Sequence, residues 1–258
     1  MLEQYQTNNH FLQQVNPLAK LIALLVVIAA MIFVFDPWTP FLLWVVSVLM
    51  LHLLGGIPVK FITLISIPFM LFGLTFVWIN AVFPAERGEL ILFSLFGLPI
   101  ALENIQTGLS LGFRSLVFGT WSLLFVLTTS PTIFLHSLIQ NGKLSPRFGY
   151  GIMAAYRLIP VFKNEWQQLK LAHRIRGLGE KGGLIGRYRQ MKRYAIPLLA
   201  SAIRKASRLA IAMESKGFDG SRNRTYYRVI RWSSKDAFFA MGVSSILTVL
   251  MISRQWWI

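Results

Sequence analysis

The sequence predicts an all-α, polytopic helical membrane protein with a basic domain of amphipathic helices on one side of the membrane. Three observations support this fold class. Of the 258 residues, 55% are hydrophobic and only 14% are charged, whereas soluble domains carry about a quarter charged residues. The apolar residues are concentrated in long runs. The charged residues are concentrated in one segment that has helical periodicity.

Five apolar runs are each about long enough to cross a bilayer as a helix. They cover residues 18–35, 38–54, 61–83, 108–130 and 237–253. Because lipid cannot hydrogen-bond the backbone, a spanning segment is either a helix or a strand of a closed barrel. The runs lack the period-two alternation of barrel strands, so the helical interpretation is preferred.

A further apolar segment, residues 90–102, is too short to span and is interrupted by Gly97 and Pro99. It is interpreted as an outer hairpin or a re-entrant segment, with a sixth span as the alternative. The sequence therefore predicts about five spans, or six.

Residues 131–236 hold 21 of the 26 basic residues and five of the ten acidic ones, so this segment carries the whole net charge of +16. Basic residues close to a membrane tend to stay in the cytoplasm. We therefore expect a cytoplasmic N-terminus and an outer loop at residues 84–106. The predicted domains are a membrane region of four spans (1–130), a basic cytoplasmic domain (131–236) and a final transmembrane helix (237–258).

Two amphipathic helices of the basic domain end in the same pattern, with a cation four residues after an alanine and directly before a glycine. The residues of the two endings are Ala172, Ile175, Arg176, Gly177, Ala212, Ser215, Lys216 and Gly217. A glycine here commonly caps a helix in the left-handed conformation. One such ending would indicate capping alone, because the helix dipole favours a terminal cation by about 0.3–1 kcal/mol. The repetition predicts two similar contacts with partner proteins.

The sequence carries no motif for catalysis or cofactor binding. The glycine-rich segment after Gly177 lacks the Gly-Lys-Ser/Thr of a nucleotide-binding loop. The four histidines are scattered and there are no cysteines, so no metal site is predicted. Acidic residues do not enter the predicted spans, which argues against a proton relay. We therefore expect a non-catalytic protein without a cofactor.

The fourth span carries small residues at helix-contact spacing, among them Gly108 and Gly112. Arg114 lies about two turns from the outer end of this span. Its side chain is expected either to extend outward to the interface or to contact a partner membrane protein across the glycine face.

The paired endings resemble those of the transmembrane T component of energy-coupling factor (ECF) transporters, the EcfT/CbiQ family. The sequence Asn16-Pro17-Leu18-Ala19-Lys20-Leu21 before the first span and Thr128-Thr129-Ser130-Pro131 after the fourth support the resemblance, which covers nearly the whole chain. It implies a subunit of a bacterial or archaeal cell (inner) membrane ABC transporter complex. Two ABC-type ATPase subunits would each bind one helix ending. Their ATP-driven motion would be transmitted to a small substrate-binding membrane subunit, the S component, for uptake of a vitamin or a metal ion.

The resemblance matches Arg176 to the first of the family's paired arginine motifs, whereas Lys216 stands where the second motif usually has arginine. Arginine offers a planar fork of donors and lysine a single compact charge. The second ATPase contact is therefore expected to be less geometrically fixed than the first.

An alternative function is a membrane scaffold whose polybasic helices bind anionic lipid, since a base near such a surface contributes roughly 1 kcal/mol. Anionic lipid is an expected partner under either hypothesis. Nucleic-acid binding is not predicted, because the sequence lacks a recognised module and the apolar stripes are expected to be used in packing. In the second helix this stripe comprises Ile196, Leu199, Ile203, Ala206, Ala210 and Met213.

Overall fold

The computed structural model describes residues 10–84, 91–95, 98–177 and 183–253. Within these residues the chain forms nine helices and one hairpin. They are α1 (Phe11–Gln14), α2 (Pro17–Ile32), α3 (Trp38–Leu53), α4 (Val59–Val82), β1 (Ile91–Leu95), β2 (Leu98–Ala101), α5 (Leu102–Thr128), α6 (Pro131–Gln140), α7 (Pro146–Ile175), α8 (Leu184–Ser215) and α9 (Ser234–Ser253). Most of the predicted outer loop before the hairpin, residues 85–90, lies outside the described residues.

The chain divides into two compact units. The first, here called the membrane unit, comprises residues 1–137 and 230–258, and the second, called the basic unit, comprises residues 138–229. The domain borders predicted after residues 130 and 236 mark where the chain is expected to leave and re-enter the membrane. They differ in kind from the borders of the compact units and stay predictions. By compactness, the final helix α9 belongs to the same unit as the N-terminal helices.

The membrane unit is built around α5, which packs against α2, α3 and α4. Its buried side chains, such as Trp121 and Leu124, form one core with residues of α2 and α9, including Val27 and Val243. Among the described residues, α4, α5 and α9 are long and apolar enough to cross a membrane, while α2 and α3 are shorter apolar helices. This confirms the predicted helical membrane fold.

The first two apolar helices are shorter than the apolar runs that predicted them. Helices α2 and α3 have 16 residues each, or about 24 Å at 1.5 Å per residue. The helix α2 ends at Ile32, and the chain then turns through Asp36 and Pro37. Asp36 Oδ2 accepts a hydrogen bond of 2.7 Å from the backbone N–H of Thr39 in the first turn of α3. This turn ends the first helix before the apolar run ends.

The segment predicted as a hairpin, a re-entrant segment or a sixth span is a two-stranded antiparallel hairpin. β1 and β2 pair in the register Leu95↔Leu98, Ser94↔Pro99 and Phe93↔Ile100, with a shift between Ile91 and Phe93. Both strands of a two-stranded sheet are edge strands, where a proline such as Pro99 is tolerated. The hairpin is the one strand pair that the structure describes in this helical protein.

A buried polar network joins the start of α2 to distant parts of the membrane unit. Asn16 caps α2, since its Oδ1 accepts from the backbone N–H of Leu18 at 3.0 Å, and Pro17 occupies the first helical position. The same Oδ1 accepts from Ser137 Oγ at 2.6 Å. The backbone N–H of Asn16 donates to Asp236 Oδ1 at 2.7 Å. Asn16 thus contacts residues of both α6 and α9.

Lys20 extends this network to the end of α5. Its Nζ donates to the carbonyl of Thr128 at 2.9 Å, to Thr128 Oγ1 at 3.1 Å and to Thr129 Oγ1 at 3.4 Å. The side chain is almost fully enclosed, at 1% exposure. Two sequence elements that supported the family resemblance, Asn16–Leu21 and Thr128–Pro131, therefore contact each other.

Candidate functional site

The two predicted endings belong to the long helices α7 and α8 of the basic unit, which run in opposite directions along their contact. His173 near the end of α7 lies with its ring centroid 5.1 Å from Tyr194 near the start of α8. Further back, Glu165 of α7 accepts a hydrogen bond from Ser201 of α8 at 2.8 Å. Residue numbers rise along α7 as they fall along α8. The two C-terminal ends therefore lie at opposite ends of a pair of helices, each roughly 45 Å long.

The first ending, at the end of α7, is exposed. The backbone N–H of Arg176 donates to Ala172 O at 3.2 Å, and that of Gly177 donates to Arg174 O at 3.1 Å. Gly177 has φ +70°, as predicted for a glycine that ends a helix. Ile175 is 87% exposed, and Ala172, Arg176 and Gly177 are exposed as well. The apolar and cationic side chains are accessible together.

The second ending, at the end of α8, has a complete Schellman motif. Gly217 has φ +80°, its N–H donates to Glu214 O at 2.9 Å, and the N–H of Phe218 donates to Met213 O at 3.0 Å. The Oγ of Ser215 donates to Ala212 O at 3.1 Å. Ala212, Ser215, Lys216 and Gly217 are all exposed. The glycine cap predicted from the sequence is confirmed at both endings.

The second ending is followed by a segment, residues 218–224, that folds back onto the start of α7. The ring of Phe218 lies edge-on to Tyr150 with centroids 5.5 Å apart. The guanidinium carbon of Arg224 lies 4.9 Å from the Phe218 centroid and 5.0 Å from the Tyr150 centroid. These are cation–π distances. We call residues 218–224 the buttress of the second ending.

Backbone contacts hold the middle of the buttress. Arg147 Nη2 donates to Asp219 O at 3.3 Å, and Gly220 has φ +73°. A Cβ at Gly220 would lie 2.4 Å from Arg147 Cγ, so only glycine fits this turn without a shift. Hydrogen bonds from the backbone N–H and the hydroxyl of Ser221 hold the pKa of the Asp219 carboxyl below its usual value. The buttress was not predicted from the sequence, although an apolar residue directly after the capping glycine was its signal.

The apolar stripe of α8 is only partly used in packing, which corrects the expectation from periodicity. Ala206, Ala210 and Met213 line a groove of about 580 Å³ with residues of α7 such as Ala154 and Leu158. In contrast, Ile196, Leu199 and Ile203 are between 62% and 71% exposed.

The reason is that the contact face of α8 toward α7 is a different one. It carries Tyr194, Ser201 and Lys205, at steps of seven and four. Lys205 Nζ lies 2.5 Å from Glu165 Oε1, and this bond, with that from Ser201, lowers the pKa of Glu165. The exposed stripe Ile196–Leu199–Ile203 therefore stays unpartnered within the described basic unit.

The glycines predicted for a membrane-partner contact face α4 of the same chain. A Cβ at Gly108 would lie 2.9 Å from Val77 Cα, and one at Gly112 would lie 3.1 Å from Gly73 O. Such spacing is typical of small residues that let two helix backbones approach closely. Gly108 and Gly112 are therefore covered by α4, which occupies the place expected for a partner protein.

Arg114 lies apart from that helix contact. Its guanidinium carbon is 5.3 Å from the centroid of the Phe35 ring, in the turn between α2 and α3. It also lines a groove of about 460 Å³, together with apolar residues such as Ile32, Phe72 and Phe118. A contact of Arg114 with a membrane partner remains a prediction.

Comparison with known proteins gives a consistent result. The model of the family CbiQ, described as "Cobalt transport protein", matches residues 8–227. The energy-coupling factor transporter transmembrane protein EcfT of Lactococcus lactis subsp. cremoris (strain MG1363) is 27% identical over 269 residues, covering 98% of this chain and 96% of that protein. The protein of the same name from Streptococcus thermophilus is 27% identical over 272 residues, covering 99% and 98%. That from Heliobacterium modesticaldum is 29% identical over 219 residues, covering 78% and 82%. The chain therefore belongs to the CbiQ/EcfT family of energy-coupling factor transporter transmembrane proteins.

Proposed function

We propose that this chain is the non-catalytic coupling subunit of an ECF-type importer. It receives ATP-driven motion from two cytoplasmic ABC-type ATPases and passes it to a substrate-capturing membrane subunit, which takes up a vitamin or a metal ion. Membership of the family supports the transporter class. The positive charge of the basic segment supports a cytoplasmic position of the basic unit and of the N-terminus in a bacterial cell membrane.

The observation that supports this function best is the repeated ending. Arg176 and Lys216 both follow the last turn of a long helix, and both precede a glycine with positive φ. Both are exposed, and they lie at opposite ends of the α7–α8 pair. Two separated but similar cationic sites suit two copies, or two relatives, of one kind of ATPase.

The contact with the substrate-capturing subunit is proposed to use the exposed stripe Ile196–Leu199–Ile203. Large contiguous apolar surfaces are uncommon on water-exposed domains and usually mark interaction sites. A small, apolar membrane protein has the chemistry to cover this stripe. Arg114 is a second candidate contact for the same subunit, and Arg114→Leu should then reduce its co-purification. Unchanged co-purification would remove Arg114 from the interface.

The test for ATPase binding is co-purification of the two ATPases with the tagged chain from mild detergent. Removing one partner of a buried charged contact typically costs about 2–5 kcal/mol of binding free energy, and Arg176→Glu also introduces repulsion. We expect this variant to lose at least one ATPase. The matched control is Lys163→Glu, which makes the same charge change at an exposed position in the middle of α7. Full recruitment by the Arg176→Glu variant would contradict the proposed role.

The same assay separates ATPase binding from the lipid-scaffold alternative. Attraction to anionic lipid depends on the number of charges, so Arg176→Lys should leave vesicle binding unchanged. A pocket that accepts the planar guanidinium of Arg176 should discriminate against lysine. Weaker ATPase recruitment by Arg176→Lys, with unchanged binding to anionic vesicles, is the result expected of a specific contact.

A further inference from the structure

We infer that Asn16, Lys20 and Asp236 form an anchor that makes the membrane helices follow the basic unit. This inference rests on the proposed function, and it concerns where motion enters the membrane unit. The three residues belong to the membrane unit and are not part of the endings of α7 and α8. Their role would be to position the membrane helices.

The chain leaves the membrane unit after Ser137 and returns to it at residue 230. Ser137 Oγ donates a 2.6 Å hydrogen bond to Asn16 Oδ1. Asp236 Oδ1, six residues after the return, accepts a 2.7 Å hydrogen bond from the backbone N–H of Asn16. One residue thus bonds to both the outgoing and the returning segment. All three residues are buried, so water does not compete for these bonds.

Asp236 fixes the returning segment at two points. While Oδ1 accepts from Asn16, Oδ2 accepts from the backbone N–H of Ser233 at 2.7 Å. Ser233 precedes α9 and Asp236 is the third residue of this helix, so the second bond is the acidic half of a capping box. Both bonds have a carboxylate acceptor, which makes them stronger than bonds between neutral groups. The first turn of α9 is therefore held against the start of α2.

Lys20 adds the end of α5 to this arrangement. Its Nζ makes all three of its hydrogen bonds with Thr128 and Thr129, and the charge of Asp236 acts on it electrostatically. A charged lysine enclosed in a membrane protein is costly unless it is compensated. The carboxylate of Asp236 therefore offsets part of the cost of enclosing the Lys20 ammonium group. Together they hold the ends of α2, α5 and α9 as one body.

A fixed meeting point of this kind has a consequence for coupling. If the outgoing and returning segments were attached independently, a displacement of the basic unit could be absorbed by either segment alone. With both segments bonded to Asn16, the displacement reaches α2, α5 and α9 together. The anchor residues would therefore set how much substrate is moved per ATP, without affecting whether the ATPases bind.

The experiment measures ATPase co-purification, ATP hydrolysis and substrate uptake for the complete complex in proteoliposomes. Ser137→Ala removes one neutral bond of the anchor and should keep the fold and ATPase recruitment. We expect uptake per ATP hydrolysed to fall below the wild-type ratio, because the outgoing segment is no longer bonded to Asn16. The control is Ser245→Ala on α9, whose hydroxyl bonds only within its own helix, to Gly242 O. It should leave the ratio unchanged.

A second variant tests the charged part of the anchor. Asp236→Asn alone would leave the Lys20 charge uncompensated, so it is combined with Lys20→Met, which removes both charges. The double variant should assemble with the ATPases and hydrolyse ATP, but transport less per ATP than the wild type. An unchanged uptake-to-hydrolysis ratio in both the Ser137→Ala and the double variant would overturn the anchor. If instead the wild-type chain failed to recruit ATPases, the proposed function itself would be wrong.

Discussion

The backbone N–H of Asn16 lies 2.7 Å from Oδ1 of Asp236, a residue 220 positions further along the chain. This bond joins the first long helix to the last one inside the buried part of the membrane unit. It also brings an acidic residue near Lys20, the one basic residue that is fully buried among those that the structure describes. The membrane unit is therefore stabilised by a buried hydrogen bond between residues that are far apart in sequence.

Asp236→Ala is expected to destabilise the membrane unit strongly. The variant leaves the backbone N–H groups of Asn16 and Ser233 without their carboxylate acceptor, and a hydrogen bond to a charged group contributes about 1.5–3 kcal/mol. The melting temperature of the detergent-solubilised protein measures the effect. Glu214→Ala serves as the control, since Glu214 is an exposed acidic residue of the basic unit. Equal melting temperatures for the two variants would show that Asp236 does not contribute this stabilisation to the membrane unit.

Alanine at either capping glycine should destabilise its helix ending by about 1–2 kcal/mol, the cost of the left-handed conformation for a residue with a Cβ. Gly177 and Gly217 have φ of +70° and +80°, and a Cβ added at either position would meet no atom within 4 Å. The cost is thus conformational and not steric. Hydrogen exchange of the last turn of each helix reports it.

Gly151 offers a matched control for this pair. It lies inside α7, also with nothing within 4 Å of a Cβ, but in helical conformation. Gly151→Ala is expected to stabilise by roughly 0.5–1 kcal/mol, since alanine favours helix over glycine. If Gly217→Ala stabilised the protein as Gly151→Ala does, the positive φ would not be required.

Arg224→Ala should loosen the second ending without unfolding α8. The guanidinium lies over both Phe218 and Tyr150, and cation–π contacts contribute about 0.5–2 kcal/mol. Faster hydrogen exchange is expected for residues 212–217, with no change for residues 172–177 of the first ending. Arg224→Lys should restore part of the protection. Equal exchange at the two endings in the Arg224→Ala variant would argue against a buttress.

The interface of α7 and α8 should weaken in acid because of Glu165. Its hydrogen bonds to Lys205 and Ser201 lower its pKa in the folded state. The stabilisation is therefore complete above the unfolded value of about 4.3, and it is lost as the pH falls through the lower folded value. Glu165→Gln should remove this part of the pH dependence. The test is to measure the melting temperatures of the wild type and of Glu165→Gln between about pH 3 and 6. If the two melting temperatures changed with pH in the same way, Glu165 would not be the group responsible.

Local sequence patterns predicted the helices and both capped endings, because helical periodicity and a capping glycine depend on residues within a few positions. They did not predict the contact of Asn16 with Asp236, since nothing near either residue specifies a partner 220 positions away. From the sequence, Asp236 was only one of five acidic residues of the basic segment. The position of Asp236 as the third residue of a helix is a local signal for a capping box. It gives no indication that Asp236 also contacts Asn16.

The stripe of α8 shows a different limit of sequence patterns. Periodicity correctly placed Ile196, Leu199 and Ile203 on one side of the helix, yet α7 packs on the side with Tyr194, Ser201 and Lys205. A hydrophobic stripe indicates that a surface is to be covered, and it does not say by which chain. In a subunit of a larger complex, the partner that covers the stripe need not belong to the same polypeptide.

The opposite directions of α7 and α8 have a mechanical consequence. Their two C-terminal ends point away from each other. Two equal forces applied to these ends along the helix axes therefore have opposite directions. Such forces largely cancel as translation, but the axes of two packed helices do not coincide, so the forces act along separate lines. They therefore produce a torque. Simultaneous action at Arg176 and Lys216 would rotate the pair of helices, whereas a push at one end alone would shift it.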